Sequence, residues 1–156
     1  AAGKSTIGRL LAKKLSLNFF DTDFIIEKKA KMKIFEIFEK KGEATFRDLE
    51  KKIVLNLLNK NNCVISLGGG AFINETIRKT VEQKGYSIWL KQNPKTLIDR
   101  IKKNNKRPIA SNLNDNELKD LLINRSKIYA KAKYEINCEN IGKAEITNKI
   151  IEMLKL

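Results

Sequence analysis

AAGKSTIGRLLA, at residues 1–12, is the stretch around which the rest of this chain is organised. Its part Gly3-Lys4-Ser5-Thr6 matches the closing half of a phosphate-binding loop, GxxxxGK followed by Ser or Thr, whose backbone N–H groups wrap phosphate oxygens. In such a loop the lysine reaches the terminal phosphates and the hydroxyl ligates Mg²⁺. The same residues also fit an N-capped surface helix, so the remaining sequence has to decide between the two. The first glycine of the motif and the strand before it are not in the sequence, and we expect the polypeptide to begin roughly ten residues earlier.

The net charge of +14 at pH 7 would ordinarily favour a polyanionic partner such as nucleic acid. The lysines are spread along the whole chain rather than gathered in one block, which indicates that much of the charge is compositional, and we expect no nucleic-acid partner. Against this lysine background an arginine is favoured where a planar, permanently charged donor must grip carboxylate or phosphate. The six arginines are Arg9, Arg47, Arg78, Arg100, Arg107 and Arg125.

The length of 156 residues predicts one domain with a single core. Because the chain has no histidine, His-based catalytic triads and His-ligated zinc sites are excluded. No run approaches the ~18 uninterrupted apolar residues of a membrane span, so no membrane partner is expected. Cys63 and Cys138 lie in apolar segments without a CxxC partner, which is typical of buried reduced thiols and favours a reducing, cytoplasmic location.

Strand-like and helix-like segments alternate along the chain, which predicts an α/β fold with a parallel sheet between layers of helices. One strand, CVISL, is an unalternating apolar run, the pattern of a parallel strand covered on both faces. A segment of turn-forming polar residues at 104–116 predicts a mobile loop. The predicted strands are 17–20, 63–67, 86–90 and 134–138. The predicted helices are 5–15, two short helices in 24–41 that break near 31–33 and stop at Gly42, then 43–59, 75–84, 94–103, 118–133 and 144–156.

Four features fall at or beside the carboxyl ends of predicted strands, where ligands collect in a sheet of this type. They are the GKST loop, the pair Asp21 and Asp23, the triplet Gly68-Gly69-Gly70, and the loop that carries Arg107. Taken singly, Asp-Thr-Asp also fits a helix cap and the triplet also fits a turn. Their joint placement favours a ligand site.

In this order and spacing the motifs resemble the shikimate kinase family over essentially the full length of the chain. The matching motifs are GKSTIGRLLA at 3–12, DTD at 21–23, GE at 42–43 with FRDLE at 46–50, GGG at 68–70, KRP at 106–108, and Arg125. The resemblance implies a three-layer P-loop kinase fold over residues 1–156, with five parallel strands in the order 2-3-1-4-5, substrate-binding helices at 24–59 and a lid at about 104–116. It also implies that ATP phosphorylates the 3-hydroxyl of shikimate, giving ADP and shikimate 3-phosphate, a step towards chorismate and the aromatic amino acids. Mg²⁺ is the expected cofactor, and a monomer is the expected state.

Phosphoryl transfer depends on positioning and electrostatics, and the nucleotide side of the site can be assigned in those terms. Lys4 would neutralise the β and γ phosphates, and Ser5 would hold Mg²⁺ together with Asp21 through water. Arg107 fits a role in stabilising transferred charge and excluding water. By resemblance Arg100 stacks on adenine, although an exposed helical arginine is the alternative. The expected ATP-binding residues are Gly3, Lys4, Ser5, Thr6, Arg100 and Arg107.

A small phosphoryl acceptor that carries a carboxylate and several hydroxyls needs guanidinium groups, which bind a carboxylate through two N–H groups, and it needs hydrogen-bond acceptors for its hydroxyls. Asp23 is the candidate to orient the attacking hydroxyl and to take its proton. Arg47 and Arg125 suit the carboxylate, and Glu50, on the same helical face as Arg47, would hold that guanidinium in place. Without the motif, Arg47 and Glu50 fit a solvated helical ion pair equally well. By resemblance the substrate-binding residues are Asp23, Arg47, Gly68, Gly69, Gly70 and Arg125.

Lys127 departs from the family pattern, in which a proline commonly follows the late arginine by two residues, so the local geometry there is open. Arg9 and Arg78 have no matching role and are expected at the surface. One alternative function is another small-molecule kinase of the same fold, of the gluconate or nucleoside monophosphate type. A second is a basic nucleic-acid-binding module that keeps a nucleotide fold, and it predicts binding with a steep salt dependence.

Overall fold

The computed structural model describes residues 2–103 and 113–155, and helices and strands alternate through them as the sequence predicts. The strands are β1 (Asn18–Asp21), β2 (Cys63–Ser66), β3 (Ile88–Lys91) and β4 (Tyr134–Asn137). The helices are α1 (Lys4–Lys14), α2 (Thr22–Ala30), α3 (Ile34–Leu57), α4 (Glu75–Lys84), α5 (Pro94–Lys102), α6 (Asp115–Tyr129) and α7 (Lys143–Leu154), with a short 3-10 helix at Ala71–Ile73. None of these helices combines the length and the apolar character that crossing a membrane requires.

β1 and β2 form a parallel pair in which Phe19 lies opposite Val64 and Phe20 lies opposite Ile65. Successive side chains of a strand point to opposite faces, so these two rows face different helices. The first row packs under α1, where a Cβ added at Gly8 would lie 2.8 Å from the Phe19 ring. The second row packs into the buried cluster formed by α2 and α3. Helices therefore cover both faces of the pair, which confirms the predicted layered α/β class.

β3 and β4 form a second parallel pair, with Leu90 opposite Ile136. Both side chains are buried in a cluster with Ile7 and Leu11 of α1 and with the apolar face of α7, and Val64 of β2 packs against the same cluster. α1 therefore packs against both strand pairs and joins them in one core. Within the described residues the two pairs are separate sheets, so the five-strand order 2-3-1-4-5 is not observed there.

The long helix α3 places the middle of the candidate site. The chain breaks at residues 31–33 before it, as predicted, and at Gly42 the backbone leaves the helical conformation (φ 80°, ψ 165°), so that two helices meet there in a kink, which confirms the predicted stop at Gly42. A positive φ of this size favours glycine, because a Cβ would be strained there. Beyond the kink α3 buries Phe46 and Val54, and burial of such side chains stabilises the fold by about 1.5–3 kcal/mol each. This apolar face fixes the rotation of the helix and so the direction of Arg47.

Helix α6 runs over Asp115–Tyr129 rather than over the predicted 118–133. A capping box fixes its start: the Asn114 side chain accepts the Glu117 N–H at 2.9 Å, and the Glu117 carboxylate accepts the Asn114 N–H at 2.8 Å. Residues 115 and 116 of the predicted lid therefore belong to α6. Residues 104–112 of that lid lie outside the described residues.

Candidate active site

The N-terminus of α1 has the features of an anion site. Gly3 caps the helix with a left-handed backbone (φ 80°), which glycine adopts at little cost. Its carbonyl accepts the Ile7 N–H at 3.0 Å, so Lys4 is the first helical residue. The N–H groups of a first helical turn have no partner within the helix, and they form the positive end of the helix dipole. Phosphate oxygens are the natural acceptors for such donors.

Three oxygen-bearing side chains meet beside this helix end. Ser5 Oγ donates to Asp21 Oδ2 at 2.5 Å and lies 3.4 Å from Ser66 Oγ. Asp21 also caps α2, since its Oδ1 accepts the Asp23 N–H at 3.1 Å. Hydroxyl and carboxylate oxygens are ligands that Mg²⁺ prefers, so Ser5 and Asp21 fit a magnesium site. No group of three or more His, Cys, Asp or Glu side chains in the described part of the chain is placed to hold a metal ion, so phosphate and water would have to complete the coordination.

Two acidic side chains converge on Gly68, the first residue of the glycine triplet. A Cβ added there would lie 2.6 Å from Asp23 Oδ1, which comes from α2, and 2.8 Å from Glu50 Oε1, which comes from α3. Neither distance is compatible with a real Cβ atom, so the approach of the two carboxylates requires glycine at this position. The structure thus brings Asp23, Glu50 and the triplet together.

Arg47 lies against the last residue of the same triplet. A Cβ added at Gly70 would lie 2.6 Å from Arg47 Nη2. Nη1 donates to Glu50 Oε2 at 2.6 Å, while Nε contacts Glu43 Oε1 at 3.4 Å. The Glu50 side chain is 3% exposed and that of Glu43 is 57% exposed, so the Glu50 contact is the one shielded from water. The predicted contact between Arg47 and Glu50 is therefore present, and it is not a solvated surface pair.

Burial raises the pKa of Glu50 above its ordinary value of 4.5, because desolvation penalises the carboxylate. The hydrogen bond from Arg47 and its charge oppose this increase. The nearby Asp23 carboxylate raises the same pKa further, and the Arg125 guanidinium lowers it. The Glu50 carboxyl therefore interacts electrostatically with Asp23, Arg47 and Arg125, and the sequence assigns all three residues to substrate binding.

Helix α6 contributes Arg125 and Tyr129, which are one turn apart on one face. Arg125 Nε is buried and has no hydrogen-bond partner among the described residues. Such a donor is costly unless a ligand supplies its acceptor. Tyr129 Oη donates to the Gly69 carbonyl, and its ring packs against Phe72 and Trp89, with centroids 6.5 and 6.2 Å away. The middle of the triplet is therefore held by α6.

Proteins of known function resemble this chain along almost its whole length. A family model described as shikimate kinase matches residues 1–155. The shikimate kinase of Bartonella henselae is 42% identical over 154 residues, which are 98% of this chain and 73% of that protein. The shikimate kinase of Persephonella marina is 39% identical over 154 residues, covering 99% of this chain and 93% of the relative. The chain belongs to the shikimate kinase family.

A solved structure agrees with this assignment. Shikimate kinase from Acinetobacter baumannii in complex with shikimate superposes with a TM-score of 0.94 at 32% identity. The superposition covers 99% of this chain and 87% of that one. The P-loop kinase fold of the family is therefore the fold of this chain.

Two further residues that the sequence assigns to the nucleotide, Thr6 and Arg100, belong to the described part of the chain. Thr6 is exposed on α1, and Arg100 is exposed in the last turn of α5. Burial raises the pKa of the Cys138 thiol, and the charge of Arg100 opposes that increase, which places Arg100 near the carboxyl end of β4. Arg107 lies outside the described residues.

Sequence reasoning missed three hydroxyl-bearing residues of this candidate site: Thr22, Ser66 and Tyr129. Ser66 pairs in register with Asp21 at the ends of β2 and β1, so the strand-end rule that singled out Asp21 could have found it. Thr22 and Tyr129 bond the glycine triplet across 46 and 60 residues of sequence, and no local pattern signals such contacts.

Three further residues differ from expectation or resolve an open point. Arg78, expected at the surface, is half-buried and donates to the Phe72 carbonyl at 3.0 Å. Arg9 is exposed as expected, with its guanidinium 5.4 Å from the centroid of the Phe19 ring. Lys127 is exposed within an unbroken α6, so the helix continues through the position where family members commonly have proline.

Proposed function

We propose that this chain transfers the γ-phosphoryl group of ATP to the 3-hydroxyl of shikimate, giving ADP and shikimate 3-phosphate. Membership of the shikimate kinase family makes it an ATP-dependent kinase. The observation that carries the acceptor assignment is the convergence of Asp23, Glu50 and Arg47 on the triplet 68–70. An acid that can orient a hydroxyl and a forked cation that can bind a carboxylate match the two kinds of polar group that shikimate carries.

On the acceptor side, Asp23 orients the attacking hydroxyl and takes its proton as the new O–P bond forms. Arg47 and Arg125 bind the carboxylate, and the buried Arg125 Nε without a partner in the described residues supports this role. Glu50 holds the Arg47 guanidinium, as their 2.6 Å contact supports. The triplet 68–70 lets the acceptor approach the backbone, where the middle amide donates to a second hydroxyl.

On the nucleotide side, Lys4 neutralises the β and γ phosphates, and Gly3 and Thr6 complete the loop around them. Mg²⁺ bound by Ser5, and by Asp21 through water, would neutralise further phosphate charge. As the bond to ADP breaks, charge spreads over the three equatorial oxygens of the transferred group, so these contacts act by electrostatic stabilisation.

The finer features of the family fold are part of the same proposal. Arg107, outside the described residues, stabilises the transferred group from a lid at about 104–116, and Arg100 stacks on adenine. The substrate-binding helices cover 24–59 of a single kinase domain. The family order 2-3-1-4-5 counts as strand 1 the strand that precedes the phosphate-binding loop, so β1 to β4 of this chain correspond to strands 2 to 5. The parallel pairs β1–β2 and β3–β4 then match the outer pairs 2-3 and 4-5, which supports this order.

We also infer a cytoplasmic monomer with no nucleic-acid partner. Cys63 and Cys138 are free thiols, which supports a reducing compartment. The acceptor cluster is assembled from side chains of one chain, so a second copy is not needed to complete it. The lysines that dominate the positive charge are dispersed along the sequence, which argues against a dedicated nucleic-acid surface.

Coupled ADP release with a panel of acceptors tests the function. Shikimate should stimulate ADP release strongly, whereas gluconate and nucleoside monophosphates should not. Stimulation by one of those acceptors alone would assign the chain to another type of small-molecule kinase. Retention on DNA with a steep salt dependence and no ATP turnover would favour the nucleic-acid-binding module.

A further inference from the structure

Thr22 lies between the two candidate acids Asp21 and Asp23, and its side chain is fully buried. Its Oγ1 accepts the Gly68 N–H at 2.8 Å and donates to the Ser66 carbonyl at 3.2 Å. One hydroxyl thus satisfies two backbone groups in the segment that leads from β2 into the glycine triplet. A buried hydroxyl that uses both its donor and its acceptor capacity is held in one orientation.

These two bonds begin where the strand pairing ends. The β1–β2 ladder finishes at Asp21 and Ser66, so it does not hold the residues that follow on either segment. Thr22 is the next residue on the first segment, and its bonds continue the connection across to Gly68. The Asp23 carboxylate faces that same glycine, where a Cβ would lie 2.6 Å from its Oδ1. The Thr22 hydroxyl therefore links the segment that carries Asp23 to the first residue of the triplet.

We propose that Thr22 is a positioning residue for phosphoryl transfer, whose hydroxyl holds the Asp23 carboxylate and the backbone of the triplet 68–70 at the spacing that the acceptor requires. This inference rests on the proposed function and adds to it a residue that acts through others, because a fully buried side chain does not touch the acceptor. The methyl group and the hydroxyl of Thr22 then have separate tasks. The methyl group fills space in the protein interior, and the hydroxyl holds Asp23 and the triplet at the required spacing.

Two substitutions separate these tasks. Thr22→Val keeps the shape of the side chain and removes the hydroxyl, while Thr22→Ser keeps the hydroxyl and removes the methyl. Thr22→Val should lower kcat/KM for shikimate on the order of 10²-fold, the size of loss that follows misplacement of a reacting group, and part of the loss should be in kcat. The KM for ATP should be unchanged. Thr22→Ser should retain most of the activity despite a lower Tm.

Thr147→Val is the matched control. Thr147 is also fully buried, and its Oγ1 donates to the Lys143 carbonyl at 2.8 Å within α7. This variant should lower Tm and leave kcat/KM for shikimate unchanged. Wild-type kcat/KM in Thr22→Val, or equal losses of kcat/KM in the two valine variants, would overturn the inference about Thr22. The proposed function would stand in that case, because the wild type would still show shikimate-dependent turnover. A wild type without shikimate-dependent ADP release would overturn the proposed function and this inference with it.

Hydrogen exchange supplies a test that does not depend on the folding of Thr22→Val. The Gly68 N–H should exchange slowly in the wild type and in Thr22→Ser, because the hydroxyl accepts it in both proteins. Fast exchange of this amide in both proteins would overturn the inference.

Discussion

Arg47 and Glu50 form a shielded ion pair beside the glycine triplet: Nη1 lies 2.6 Å from Oε2, and the Glu50 side chain is 3% exposed. The two residues are three apart on α3, a spacing that brings side chains together on a helix. Replacing a buried ion pair by apolar residues is often neutral for stability, whereas removing one partner leaves an uncompensated charge. The pair is therefore better explained by what its guanidinium can bind than by its contribution to folding.

Replacement of Arg47 by alanine tests that explanation. Arg47→Ala should lower kcat/KM for shikimate by about 10²- to 10³-fold, or ~3 to 4 kcal/mol, because the acceptor carboxylate loses its forked partner and Glu50 is left without its cation. Steady-state kinetics with each substrate varied in turn would measure the loss. The Kd for ATP and the circular dichroism spectrum should stay close to those of the wild type.

Arg9→Ala is the control for that variant, since Arg9 is exposed on α1 and is assigned no role at the site. Its kcat/KM for shikimate should be unchanged. Full activity in Arg47→Ala would contradict the assignment of Arg47 to binding of the acceptor carboxylate.

The raised pKa of Glu50 gives stability a defined pH dependence. Because the pKa of the folded protein lies above the ordinary value of 4.5, the native state binds this proton more tightly than the unfolded state. The contribution of Glu50 to the free energy of unfolding is therefore largest below pH 4.5 and decreases as pH rises through the raised pKa. Glu50→Gln lacks this titration, so its stability relative to the wild type should improve as pH rises through that window.

Urea unfolding of wild type and Glu50→Gln at several pH values from 4.5 upwards measures the difference. In the same variant the KM for shikimate should be raised, because the amide has no charge to hold Arg47. A relative stability that changes with pH in the opposite direction would show that burial does not dominate the environment of Glu50.

Gly70→Ala tests the close approach of Arg47 to the triplet. The backbone of Gly70 (φ −110°) is accessible to alanine, so the expected effect comes from the new Cβ, which would displace the Arg47 guanidinium. The KM for shikimate should rise on the order of tenfold, and Tm should change little because a flexible side chain can move aside.

Gly142→Ala is its control: Gly142 has φ −77°, and a Cβ added there meets no atom within 4 Å. That variant should have wild-type kinetics. Identical KM values for shikimate in the two alanine variants would contradict the placement of Arg47 against Gly70.

Asp23→Asn tests the proposed base. The amide keeps the shape of the side chain but cannot take the proton of the attacking hydroxyl, so kcat should fall by roughly 10²- to 10⁴-fold. Asp120→Asn, on an exposed position of α6, should leave kcat unchanged. Wild-type turnover in Asp23→Asn would end the assignment of Asp23 as the base.

The elements with strong local signals could be predicted from the sequence. Helix 75–84 was predicted with the bounds that the structure has, because the Asn74 side chain caps its first turn and Gly85 follows its end. Arg47 and Glu50 were paired by their spacing along one helix. Asp21, Asp23 and the glycine triplet were placed at one edge of the sheet by the rule that parallel strands end on the same side.

Features that depend on tertiary contacts could not be predicted in this way. The bonds of Thr22 and Tyr129 to the triplet join residues far apart in sequence, and neither threonine nor tyrosine has a local pattern that indicates such a contact. The end of α6 at Tyr129 is likewise not marked by a glycine or proline.

The identity of the product tests the central claim most directly. After incubation of the wild-type chain with ATP, Mg²⁺ and shikimate, phosphorus NMR with proton coupling assigns the new phosphate ester to one oxygen of the acceptor. The predicted result is one equivalent of ADP for each phosphate ester, with the phosphate on the 3-oxygen of shikimate. ADP formed at the same rate without shikimate, or shikimate recovered without a phosphate ester, would contradict the account.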